Sequence, residues 1–206
     1  MNATRKFQTG IYPYSMMTSV FNPIDLNNRK SALKSTMSGQ EWCGQVFQQM
    51  NLENGRYNLR SFSYFEGEGD QHLHINLAIL EDEIFNLIRL NPQFLPEGEI
   101  LMIPSQVENR FKHENTIPQK ASTYLENTNW NGKDLQKYTI EYHHNSRKMS
   151  IYFHSDFPYI IEGWEDSYDG LVSSAKKINT IQLDYWSKNR ISDLKLFDSL
   201  YQEDEN

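Results

Sequence analysis

The only thiol in the chain, Cys43, sits in the string Glu41-Trp42-Cys43-Gly44 and is the first residue to weigh for covalent chemistry. A nucleophilic cysteine needs a base within hydrogen-bond reach and surroundings that lower its pKa. Counting back from an Asn54-Gly55 turn sets Glu66 opposite Cys43, and a neighbouring carboxylate raises a thiol's pKa. The enzymatic alternative is a hydrolase that uses Cys43 with His72 or His74. The other reading of Cys43 is a small hydrophobe inside the fold.

His72 and His74 share a face if they lie on a strand, with Asp70 on the same side. A tight metal site needs three or four converging ligands, so this pair alone predicts none. A single cysteine also excludes an internal disulfide and any multi-cysteine metal centre. Glu66, Glu68 and Asp70 alternate with Phe65, Gly67 and Gly69, and like charges at every second position crowd a strand face. The glycines favour a solvated loop leaving the sheet. The Gly-Glu-Gly string lacks the third glycine of a dinucleotide fingerprint, and neither a Walker loop nor a nucleophile elbow is present. No cofactor is expected.

The elements that must position these residues are mostly strands. Asn54-Gly55 is a two-residue hairpin signal, because both positions of a type I′ turn take positive φ. Placing it at the tip pairs Glu53 with Arg56, Leu52 with Tyr57, Met50 with Leu59 and Phe47 with Phe62. Extending the ladder pairs Gly44 with Phe65 and Cys43 with Glu66. One face then gathers Cys43, Gln45, Phe47, Phe62, Tyr64 and Glu66, the candidate ligand-binding set. Large aromatics with a few converging polar groups describe a ligand cleft. They equally describe an ordinary sheet face covered by a helix.

A turn at Asn145-Ser146 predicts Tyr142 opposite Met149, Ile140 opposite Ile151 and Tyr138 opposite Phe153. A turn at Asp169-Gly170 predicts Trp164 opposite Ala175 and Glu162 opposite Lys177. With a turn at Ser155-Asp156-Phe157-Pro158, residues 136 to 184 read as a four-stranded meander. Weaker strand patterns run over Ile11 to Phe21, Ala32 to Ser38 and Gln119 to Glu126. The Asn-rich stretch from Asn127 to Asp134 reads as a loop. Helical spacing covers Leu77 to Leu90, stopped by Asn91-Pro92, with further short helices after Pro104-Ser105 and from Ser192.

The composition sets limits on partners. A chain of 206 residues is long enough for one cored domain, and 13% aromatics offset a modest 38% hydrophobic content. The net charge of -7, with Lys and Arg scattered, excludes a nucleic-acid surface. Glu203-Asp204-Glu205 reads as a solvated tail. No stretch suits a transmembrane helix, and the first residues do not form a signal peptide.

Several strings resemble a family of bacterial envelope proteins that commonly carry the label septum formation inhibitor Maf. They are Gly10-Ile-Tyr-Pro-Tyr-Ser-Met-Met-Thr-Ser, Gln40-Glu-Trp-Cys-Gly, Ser63-Tyr-Phe-Glu-Gly-Glu-Gly-Asp, Ile88-Arg-Leu-Asn-Pro, Phe157-Pro-Tyr-Ile-Ile-Glu-Gly-Trp and Tyr185-Trp-Ser-Lys-Asn. The Maf pyrophosphatases carry a Ser-x-Ser-Pro-Arg-Arg phosphate loop that has no counterpart here, so that activity is not implied. The resemblance implies a periplasmic or outer-membrane-associated location and an N-terminal portion preceding this one. The layout is also similar to lipoprotein-carrier-like open β-barrels.

The expectation is a single β-rich domain over residues 1–206. It is mainly β, a curved antiparallel sheet or open half-barrel of about eight to eleven strands with two or three helices on one face. Its expected role is non-enzymatic: binding of a lipid or other apolar or amphipathic small molecule, or of a protein partner, in the envelope.

Overall fold

The computed structural model describes residues 1–28 and 31–201; the acidic tail at Glu203-Asp204-Glu205 lies outside them. The first sheet is an antiparallel meander in chain order: β1 (Asn2–Thr9), β2 (Tyr12–Phe21), β3 (Lys34–Glu41), β4 (Gly44–Glu53), β5 (Arg56–Phe62) and β6 (Gln71–Asn76). The second contains β7 (Ile79–Leu80), β8 (Gly98–Ile103), β9 (Gln119–Trp130), β10 (Lys133–Tyr142), β11 (Lys148–Phe153), β12 (Ile161–Tyr168) and β13 (Leu171–Lys176). Its order is β13-β12-β11-β10-β9-β8-β7, antiparallel except for the short β7–β8 pair. The mainly β class, the antiparallel pairing and the small number of helices agree with expectation, while the strands divide between two sheets.

Two short helices lie in the core between the sheets. α1 (Ile84–Leu90) turns Ile84, Leu87 and Ile88 onto the second sheet, where they meet Met102, Tyr138, Ile140, Met149, Ile151 and Phe153. α2 (Gln106–Lys112) turns Val107 onto the first sheet, against Met16, Met37 and Val46. Between them, Leu80 and Ile103 of the β7–β8 pair join Val20, Met50, Tyr57, Leu59 and Ile75. β3 shows why these strands form: Ser35, Met37 and Gly39 are inward, and Thr36, Ser38 and Gln40 face out, the period of a half-buried strand. The C-terminal part, with α3 (Leu194–Asp198), packs loosely, and Trp186, Ile191 and Phe197 are exposed.

The Asn54-Gly55 hairpin has the predicted register from Glu53–Arg56 to Phe47–Phe62, with both turn residues at positive φ. The ladder stops there. Ser63–Gly69 coils into a turn in which the Phe65 carbonyl accepts from Glu68 and Gly69 N–H, so neither Gly44–Phe65 nor Cys43–Glu66 forms a strand pair. The Asp169-Gly170 hairpin also keeps its predicted register.

The hairpin at Asn145 is corrected by two residues: Ile140 faces Met149, Tyr138 faces Ile151 and Gln136 faces Phe153. The turn is not two residues long. Tyr142 N–H closes onto the Arg147 carbonyl, leaving 143–146 as the loop, and the Asn145 side chain accepts from Arg147 N–H. A slip of two preserves the face, so Tyr138, Ile140 and Tyr142 stay buried. Asn127 to Asp134 is not a loop but a hairpin end, turning at Asn131-Gly132 with positive φ at both. The predicted helix over Leu77 to Leu90 shortens to α1, because Ile79–Leu80 pairs with Met102–Ile103 and the Glu81–Glu83 turn is 3₁₀.

A buried ion cluster ties these parts together. Arg147 is 3% exposed and donates from both terminal nitrogens to Glu81, at 2.6 and 2.7 Å. Its Nε and Nη2 also donate to Asp166 of β12, at 3.0 and 2.7 Å. Tyr142 donates its hydroxyl to Glu81 at 2.6 Å, and Ser105 N–H adds a further bond to the same carboxylate. Burial would raise the Glu81 pKa, yet the Arg147 charge and these donors hold it below the usual carboxylate range. Removing one member of such a cluster strands the others without a partner. Arg147→Met is therefore expected to lower unfolding free energy by roughly 3–5 kcal/mol in denaturant titration. A loss well under that would show that water compensates Glu81.

A second carboxylate, Glu162 at 3% exposure, accepts from Lys133 and Lys177 at 2.6 Å each. Burial opposes ionisation, but the two ammonium groups override it and bring its pKa from 4.5 down to about 2. Because the folded value lies below the unfolded one, this stabilisation is complete above pH 4.5 and is lost as pH falls towards about 2. Glu162→Gln should flatten the stability-against-pH curve in that window; an unchanged slope there would assign acid sensitivity to other carboxylates.

Candidate functional site

The first sheet ends in three turns on one side, β1–β2, β3–β4 and the coil after β5. α2 lies over the same end. Together they enclose a slot of about 130 Å³. Its walls are Tyr14, Met16 and Val46 from the strands, Tyr64 and Phe65 from the coil, and Arg110, Phe111 and His113 from α2 and its C-terminus. Tyr14, Gln40 and Glu41 continue into an open trough along Phe7, Pro13 and Trp42.

Two glycines make room for this arrangement. The Tyr64 ring lies directly on Gly44, where an added Cβ would stand 2.6 Å from the Tyr64 Cγ. At Gly39 a Cβ would crowd the Met16 sulfur at 2.7 Å. The aromatic rings pack on one another: Tyr64 on Phe65 at 4.3 Å, Phe65 edge-on to His113 at 4.9 Å, and Phe7 on Tyr14 at 5.0 Å. The Arg110 guanidinium covers Phe65 at 4.4 Å.

Glu41 of the slot wall and Glu68, next to His113 and Arg110, are both hydrogen-bonded within the protein. Glu41 accepts the Tyr64 hydroxyl on Oε1 and Cys43 N–H on Oε2, the latter at 2.7 Å. The Tyr64 bond is the main reason the Glu41 pKa lies below the usual carboxylate range. The Tyr64 phenol is pushed up to about 12, first by burial and then by that same bond. Glu68 accepts Ser63 Oγ on Oε2 and His113 Nδ1 on Oε1, both at 2.5 Å. Burial would raise Glu68, but Ser63, His113 and Arg110 outweigh it and lower its pKa.

The six residues of the predicted ligand set are divided among four places. Gln45, Phe47 and Phe62 lie on the outer face of the first sheet, where the two phenylalanine rings stack at 6.5 Å and Phe62 is half exposed. Tyr64 turns to the inner side and lines the slot. Cys43 is exposed at the β3–β4 turn, and Glu66 is exposed in the coil. The carboxylate beside the thiol is Glu41 rather than Glu66, and its hydrogen bond raises the Cys43 pKa. His72 and His74 share a face of β6 with rings 5.3 Å apart, and His74 Nδ1 is bonded to the Asn58 side chain. No group of three His, Cys, Asp or Glu side chains among the described residues could hold a metal ion. Nor is any helix among them long and apolar enough to cross a membrane.

Sequence reasoning missed Tyr14, Glu41, Phe65, Arg110 and His113. Glu41 and Phe65 stood in strings already noticed. Arg110 and His113 carried no signal, because only the docking of α2 brings them to this end of the sheet. No protein-family model matches the chain, and neither a curated protein nor a solved structure matches it.

The Glu41–Cys43 contact has a chemical consequence. A thiol next to a carboxylate keeps its proton, so Cys43 should react with iodoacetamide more slowly than a free thiol at about pH 8. Glu41→Gln should speed alkylation severalfold. Equal rates in the two proteins would remove Glu41 as the cause.

Proposed function

We propose that this chain is a non-enzymatic binding protein whose slot holds an apolar or amphipathic small molecule. The observation that carries this reading is the slot itself. It is an aromatic-walled space of about 130 Å³ beside glycines that could not be larger without displacing Met16 or Tyr64. Binding sites are concave and mostly apolar, with few polar groups that fix orientation. Here those groups are Glu41, Arg110 and His113. In this reading the two sheets act as an open barrel around α1 and α2, and the trough toward Trp42 receives whatever part of an elongated ligand leaves the slot. The envelope location rests on the family resemblance.

The thiol's surroundings favour binding over hydrolysis. Cys43 has Glu41 as its neighbour, and a carboxylate there opposes the thiolate that catalysis needs. A protein partner in the envelope would be an alternative occupant of the same aromatic end.

Calorimetric titration with 1-decanol and with decanoate tests the reading. Saturable one-to-one binding of at least one probe is expected. Gly44→Ala, which pushes the Tyr64 ring off its seat, should weaken it by about tenfold. Phe65→Ala, which removes a wall, should do the same. Absence of saturable binding by either probe, or affinities untouched by both substitutions, would refute the slot as a ligand site.

A further inference from the structure

Two arginines among the described residues are largely buried, and they differ in how their donors are used. Arg147 spends its guanidinium on Glu81 and Asp166. Arg110 does not. Its side chain is 12% exposed, yet its one contact within hydrogen-bond distance among the described residues is Nη1 to His113 Nδ1 at 3.4 Å. That nitrogen is already turned to Glu68 at 2.5 Å, so with its proton on that bond it has no lone pair for Arg110. Glu68 Oε1 lies 3.7 Å from Arg110, close enough to balance charge but too far for a hydrogen bond.

Neither neighbouring carboxylate hydrogen-bonds Arg110. Both Glu68 oxygens are taken, by His113 and Ser63, and both Glu41 oxygens, by Tyr64 and Cys43. Arg110 therefore presents donors that no protein acceptor among the described residues uses, in one planar fork whose central carbon lies 4.4 Å from the Phe65 ring centroid. Its remaining N–H groups have no protein acceptor among the described residues and are left to water. Its fork matches paired oxygens of a carboxylate or phosphate. Glu41 and Glu68 repel an incoming anion, and that repulsion is reduced because each carboxylate is already bound by protein donors.

Resting on the slot being a binding site, we propose that its ligand carries an acidic oxyanion head group, carboxylate or phosphate, that Arg110 holds. The apolar body of the ligand then lies on Phe65, Tyr64 and Tyr14, and a longer body follows the trough toward Trp42.

Matched probes separate this claim from the slot itself. Decanoate, decyl phosphate and 1-decanol share one chain and differ in the head group. The wild-type protein should bind at least one of the acids about tenfold or more tighter than the alcohol, and the stronger of the two acids identifies the oxyanion. Arg110→Gln should bring acid and alcohol affinities within about threefold of each other, with circular dichroism and thermal unfolding like the wild type showing the fold intact. If the glutamine variant does not fold, Arg110→Lys, which keeps the charge but not the fork, should reduce the ratio severalfold. Decanol binding as tight as both acids in the wild type, or an acid preference unchanged in the variants, overturns the oxyanion assignment and leaves the slot standing. Binding of none of the three probes removes both.

Discussion

The Arg147 cluster is the constraint on which the rest of this structure depends. It joins parts far apart in the chain: the β10–β11 loop through Arg147, β12 through Asp166, and the 3₁₀ turn before α1 through Glu81. The same turn reaches the start of α2, where Asp82 accepts from Gln106 N–H at 3.0 Å. Gln106 in turn accepts from Ser35 Oγ on β3 at 2.6 Å, so the chain of contacts crosses to the first sheet. Burying these charges is not an efficient source of stability, since apolar packing of equal volume often does as well. What the cluster contributes is geometry: turn, helix and sheets must sit in register for Arg147, Glu81, Asp166 and Tyr142 to meet.

That geometry reaches the slot. α2 starts at the cluster and ends at His113, whose positive φ turns the chain away just after Arg110 and Phe111 have been presented to the first sheet. A helix this short has little stability of its own. Its position comes from Val107 in the core at one point and from the polar contacts at its start. The aromatic end of the first sheet is built locally by turns, but the cationic side of the slot is delivered from the far side of the fold. The slot is complete only when the two sheets are correctly docked.

The difference between local and long-range construction also explains what the sequence made legible. The Asn54-Gly55 hairpin could be read to the residue because a two-residue turn and period-two alternation determine a register together. Asn131-Gly132 carries the same signal, but its flanks are rich in Asn and look like loop, and only pairing of β9 with β10 makes them strand. The Asn145 hairpin was misplaced by two because a longer loop lets Arg147 turn inward, and the demand for that arginine is tertiary. At the candidate site, Tyr64 and Glu41 belong to strings visible in the sequence, while Arg110 and Glu68 meet only after α2 docks. Composition had no way to show that Cys43 would acquire Glu41 from its own turn instead of Glu66 from across a ladder.

The two arginines finally separate two uses of the same side chain. Arg147 is satisfied internally, so the fold gains nothing from a ligand there and loses much if one of its carboxylates is removed. Arg110 lies over Phe65, a contact that consumes none of its donors. On the proposed reading, a guanidinium already seated over a ring needs less ordering when a ligand arrives, and less ordering leaves more of the contact energy as affinity. The unmet donors act in the opposite sense on the wrong ligand. A purely apolar occupant would exclude water from Arg110 without replacing its hydrogen bonds, and sites of that kind reject analogues lacking the complementary group more strongly than they reject a change of chain length. On the proposed reading, specificity at this slot follows from what the protein has left unpaired.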